Sequence, residues 1–122
     1  MTLVDSSGWI EYFAEGPLAD EYAQYLSRDD LLVPTVVVYE VHKFMLREVS
    51  EEAAMDVAAR LQAHDVVPLT QHLALFAADL SLEHDLAMAD AIVYATAQFH
   101  RAELITSDVV FADLSDVTYL AK

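Results

Sequence analysis

The sequence predicts an α/β fold: a single-domain α/β/α sandwich with a mostly parallel sheet, spanning residues 1–122. Three observations predict it. Short apolar runs alternate with longer segments that repeat at helical period. The segment "MADAIVYATAQFH", Met88 to His100, is apolar nearly all round, as a helix buried between layers should be. The chain has 122 residues, 56% of them hydrophobic, with no repeat, low-complexity tract or long linker to divide it. Strand and helix in alternation build a parallel sheet, because each helix carries the chain back to start the next strand in the same direction.

Each element has its own signal. Leu3-Val4-Asp5 reads as a short strand, and Ser7 or Gly8 opens a short helix through Phe13. Pro17 suits the first turn of a helix running to about Ser27. Leu31 to Val33 is a strand, followed by a helix over Thr35 to Arg47, although Val36-Val37-Val38 would tolerate a strand. Ser50 is a good N-cap, with Glu51 and Glu52 favoured by the helix dipole. The helix it opens carries Ala54, Val57, Ala58 and Leu61 on one face. Val66-Val67 is a strand, Thr70 caps a helix through about Glu83, and the apolar Met88 helix follows. Leu104-Ile105-Thr106 is a strand that runs out to Asp108, and Val117 to Leu120 is the last strand.

Composition excludes several functions. The absence of cysteine removes disulfides and thiolate metal sites. With Gly8 and Gly16 as the only glycines, neither a Gly-rich phosphate loop nor a dinucleotide fingerprint is possible. The five histidines show no HExxH spacing, and Ser6 and Ser7 sit in no Gly-x-Ser-x-Gly elbow. The aromatics Trp9, Tyr12, Phe13, Tyr22 and Tyr25 read as packing residues. No basic segment precedes an apolar one at the start, and the longest apolar stretch, "LLVPTVVVY", is broken by Pro34. A soluble cytoplasmic protein with no membrane partner is the expectation. The net charge is −15, from 21 acids against 6 Lys and Arg. That opposes a broad phosphate-tracking surface and suits a basic partner, bound cations or a salty environment.

Four acids stand in unusual places. Asp5 and Asp108 follow core strands, where ligand sites of open α/β sheets lie. Glu40, in "VVVYEVHKFML", has Val36, Val37, Lys43 and Phe44 as helical neighbours. Asp90 has Leu86, Ala87, Val93 and Tyr94. Buried carboxylates need a cation, a donor or a proton, and this chain has few basic residues to offer. Oxygen ligands of this kind suit Mg²⁺ or Mn²⁺. Each acid also has a plain structural reading: Asp5 and Asp108 as helix caps, Glu40 as a partner of Lys43, Asp90 as a first-turn acid. Asp85 and Asp113 could join the rim of a site, while Asp79 and Asp116 read as solvated.

Taken together, "VDSSGWIEYF", "VVVYEV", "MADAIVYATA" and "LITSDVVF" resemble, in order and over essentially the whole chain, the PIN domain of VapC-type toxins. The resemblance implies a Mg²⁺- or Mn²⁺-dependent ribonuclease whose acidic quartet falls on Asp5, Glu40, Asp90 and Asp108, supported by the hydroxyls of Ser6 and Thr106. It also implies a cognate VapB-like antitoxin and a homodimer. With so acidic a chain, an RNA substrate would depend on a local basic patch, Lys43 and Arg47 on one helix, or on salt that screens repulsion. Two rivals stand beside this reading. One is a PIN-like module that binds a partner without catalysis. The other is a phosphoacceptor receiver domain, whose length and acidity fit but whose acidic pair and lysine are missing.

Overall fold

Five strands carry the short apolar runs: β1 (Thr2–Val4), β2 (Leu31–Pro34), β3 (Asp65–Val67), β4 (Glu103–Thr106) and β5 (Val117–Tyr119). The computed structural model describes all residues from 1 to 122. The strands form one sheet in the order β3-β2-β1-β4-β5. All four pairings are parallel, with Leu3 opposite Leu32 on one side and Leu104 on the other. β1, β2 and β4 are covered on both faces, which is why they read as continuous apolar runs and not as alternating ones. The edge strands β3 and β5 are only half-covered.

Six helices connect the strands: α1 (Ser6–Phe13), α2 (Ala19–Leu26), α3 (Thr35–Glu48), α4 (Glu51–Gln62), α5 (Gln71–His84) and α6 (Met88–Phe99). Ser50 and Thr70 cap α4 and α5 as their positions predict, accepting from the amides of Ala53 at 3.0 Å and Leu73 at 3.2 Å. In α6 every residue from Ala91 to Ala97 is buried, in keeping with its apolar circumference. None of the helices is long and apolar enough to cross a membrane.

One boundary differs from expectation. Pro17 lies ahead of α2 and not in its first turn. The buried carboxylate of Glu11 accepts the Leu18 amide at 2.9 Å, so the turn between α1 and α2 is held from within and the helix starts after it. Gly16 stands where any side chain would collide with that carboxylate.

The strand order decides where a site can form. From β1 the chain builds outward to β2 and β3, then α5 and α6 carry it back across to β4 on the other side of β1. Right-handed crossovers taken in opposite directions put the two helix groups on opposite faces, giving the α/β/α sandwich. The order reverses between β1 and β4, and the carboxyl ends of strands flanking such a reversal are where ligands bind. The order also removes the receiver-domain rival, whose flavodoxin-like sheet runs 2-1-3-4-5.

Candidate active site

Asp5 leaves the end of β1 in extended conformation and becomes the N-cap of α1, so its structural and functional readings coincide. It is only 5% exposed. Its Oδ1 accepts from the Ser7 hydroxyl at 2.6 Å and the Gly8 amide at 3.3 Å. Its Oδ2 accepts from the Thr106 hydroxyl at 2.7 Å. Of the two hydroxyls expected beside the quartet, Thr106 is in bonding contact, while the serine that bonds Asp5 is Ser7, not Ser6. As the second residue of α1, Ser7 is turned back over the cap.

Asp108 follows β4 and caps a short 3-10 turn over Val109–Phe111, accepting the Val110 amide at 3.1 Å. Its own amide donates to the Thr106 hydroxyl at 2.9 Å. Asp90 lies in the first turn of α6, and Glu40 lies midway along α3; both are half-buried. Their fields overlap. The Asp90 carboxyl is pushed up to about 6, first by burial and then by the charges of Asp108, Glu40 and Asp5. The Asp5 carboxyl is also pushed up to about 6 by burial, against the pull of its hydrogen bonds to Ser7, Thr106 and Gly8; the charge of Asp108 adds to the rise. A carboxylate that accepts three hydrogen bonds would otherwise titrate low.

No basic side chain relieves this cluster. Lys43 does not pair with Glu40; its ammonium sits over the Tyr39 ring, 5.6 Å from the centroid. Arg47 pairs with Glu48 at 2.9 Å, with its guanidinium over Phe44. The other ion pairs join Arg28 to Glu103, Lys122 to Glu11 and the N-terminal ammonium to Asp30, and the His84 ring lies 3.8 Å from the Glu83 carboxylate. Lys43 and Arg47 are exposed on α3 beyond Glu40. Asp85 is exposed at the end of α5 and Asp113 after the 3-10 turn, and neither acts on the Asp5 or Asp90 carboxyl.

The four acids lie at one end of the sheet but do not form a closed cage. No three Asp, Glu or His side chains come close enough to enclose an ion. The two largest cavities, about 740 and 690 Å³, hold none of the four. The smaller is lined by residues of the turn between α1 and α2 and by α4; the larger lies at the opposite end of β4 and β5.

Two residues of this centre have no signal in the sequence. Tyr22 reads as one packing aromatic among several, yet its hydroxyl lies 2.6 Å from the Ser107 hydroxyl. Ser107 in turn donates its amide to Ser7 at 3.2 Å.

The PIN domain family model matches residues 2–117. No curated relative matches. Among solved structures, a toxin–antitoxin complex from Klebsiella pneumoniae contains a chain 25% identical, with a TM-score of 0.82 over 97% of this chain and 96% of that one. The Mycobacterium tuberculosis VapC20, a sarcin-ricin loop cleaving toxin, is 21% identical, with a TM-score of 0.78 over 94% and 95%. The VapBC2 structure from Rickettsia felis, bound to a DNA fragment from its promoter, contains a chain 12% identical, with a TM-score of 0.77 over 98% and 97%. The two less similar structures bear on the fold alone.

Proposed function

This chain belongs to the PIN domain family, and we propose that it is a Mg²⁺- or Mn²⁺-dependent endoribonuclease, the toxin of a VapBC-type pair. One observation carries the reading. Asp5 and Asp108 follow the paired strands β1 and β4, Asp90 lies in the first turn of α6 and Glu40 in α3, and no basic side chain pairs with any of them; burial and the charges of the other three push the Asp90 carboxyl up to about 6. Such a cluster with no basic partner is what a divalent cation would neutralise.

The donors fit a hard cation in kind, being carboxylate oxygens throughout. Asp5, Glu40 and Asp90 would hold the principal ion, and Asp108 would complete that site or a second one and position the attacking water. Asp5 is the fixed member. Both acceptor positions of its Oδ1 are taken, and Thr106 takes one on Oδ2, which leaves a single lone pair on Oδ2 to offer. Glu40 and Asp90 are the adjustable members, since neither side chain is held in a hydrogen bond or ion pair. A divalent ion bound there would make hydroxide available near neutral pH and stabilise charge on the oxygens of a phosphodiester. Lys43 and Arg47 would take backbone phosphates of an RNA strand.

The similarity to a toxin–antitoxin complex supports the antitoxin partner of this proposal; its homodimer and cytoplasmic setting rest on the resemblance to VapC-type toxins. A second reading, a PIN-domain binding module without catalysis, draws support from the open spacing of the acids. RNA cleavage assays separate the two. Wild type with Mg²⁺ or Mn²⁺ should cut RNA, and chelation by EDTA or the change Asp90→Asn should lower the rate by about 100-fold or more. Equal cleavage by Asp90→Asn and wild type would sink the nuclease reading and leave the binding module.

A further inference from the structure

Asp5 is held by two parallel relays that start from neighbouring amides. The Ser107 amide donates to the Ser7 hydroxyl, which donates to Oδ1 of Asp5. The Asp108 amide donates to the Thr106 hydroxyl, which donates to Oδ2. Each hydroxyl has one proton, and an incoming amide occupies a lone pair and leaves that proton for the carboxylate. The segment Ser107–Asp108 therefore sets both oxygens of Asp5 while carrying the next acid of the quartet.

What holds that segment from outside is Tyr22 of α2. Its ring is fully buried and fills the space that a side chain on Gly8 would need. A phenylalanine would fill the same space without the cost of burying a hydroxyl. The hydroxyl is present, and Ser107 is its partner, 85 residues away in the chain. Burial pushes the Tyr22 phenol up to about 12, and the charge of Asp5 adds to the rise, so the group stays protonated beside the cluster.

We infer that Tyr22 is a positioning residue for the carboxylate centre, holding Ser107 so that the loop after β4 locks Asp5 into offering one oxygen and keeps Asp108 beside it. This rests on the metal-binding reading proposed above. Residues that orient ligands from behind in this way typically cost about 10–100-fold in metal affinity when removed.

The test is calorimetric titration of the full chain with Mn²⁺, each variant first confirmed as folded by its thermal transition. Tyr22→Phe should weaken Mn²⁺ binding by about 10-fold or more. Ser107→Ala should do the same, the double variant should bind no worse than either single, and Ser107→Thr, which keeps the hydroxyl, should bind as wild type. A purely structural Tyr22 would give losses that add to those of Ser107→Ala, or no loss in folded protein. Wild-type affinity in Tyr22→Phe overturns the inference, and so does additivity. Should Tyr22→Phe fail to fold, the contrast of Ser107→Ala with Ser107→Thr decides, and equal binding by those two overturns it. Asp90→Asn separates the metal site itself from the role of Tyr22. If it binds Mn²⁺ as wild type does, the metal reading fails and takes this inference with it. If it loses binding while Tyr22→Phe does not, this inference alone fails.

Discussion

Asp90 sits in the first turn of a helix, where the dipole alone would favour a negative charge. Burial and three like charges win instead, and the carboxyl is pushed up to about 6. Asp5, deeper in, is pushed up to about 6 mainly by burial. The consequence for stability has a definite sign. A carboxyl raised in the folded state favours folding while protonated, and that contribution is lost as pH rises from the unfolded value near 3.8 through about 6. Asp30, lowered by the N-terminal ammonium, works in the opposite sense, but only as pH falls below the same 3.8. In EDTA, the thermal midpoint should therefore rise as pH falls from 7 to 5, which scanning calorimetry would show. At pH 7, Asp90→Asn should raise the midpoint by about 3 °C and flatten that rise. A midpoint lowered at pH 7 would mean that Asp90 is not under electrostatic stress. Adding Mn²⁺ should raise the wild-type midpoint and leave the variant's unmoved, because a ligand stabilises only the form that binds it. That binding should weaken as pH drops through about 6, where protons compete for Asp5 and Asp90.

At the scale of elements, α1 is the informative piece. It has only eight residues, one of them Gly8, whose helix propensity is about 1 kcal/mol worse than alanine. Propensity alone says that Gly8→Ala should stabilise. Packing says the reverse, since a Cβ there would overlap the Tyr22 ring and Val4. Gly8→Ala should destabilise by about 1–3 kcal/mol in urea unfolding; a gain in stability would show that Tyr22 is free to move. The sequence shows Gly8 as a small residue after a strand and does not show what fills the space. The same limit explains what else was hidden. Periodicity and caps located the strands and helices to within a residue or two, because they are local signals. The start of α2 depends on Glu11 reaching seven positions forward, which no local pattern encodes. Which of two adjacent serines meets Asp5 depends on the phase of the first helical turn. The acids after β1 and β4 could be picked out singly, but their adjacency follows from a sheet order that no spacing reveals. Tyr22 and Ser107 stayed invisible for the same reason, since their contact spans 85 positions.

The whole molecule carries a net charge of −15, with six Lys and Arg in all. Of these, only Lys43 and Arg47 stand on the helix that carries Glu40. RNA binding should therefore depend on salt weakly, with a slope of log K against log salt no steeper than about −1.4 for two phosphate contacts on a single strand. Filter binding across a salt series would measure it, and the double change Lys43→Ala with Arg47→Ala should bring it close to zero. A steep slope that persists in that variant would place the RNA on another face. The same long-range wiring that hid the centre also orders its making. Asp5 and the Thr106 that bonds it lie 101 positions apart. At about 5–20 residues per second, a ribosome takes about 5–20 s to travel from one to the other. During that interval β1 has no β4 beside it, and Asp5 lacks both the Thr106 hydroxyl and the amides behind the two relays. Whatever the assembled carboxylates do, a half-made chain still on its ribosome cannot do it; competence arrives late in translation, after both helix layers have been made.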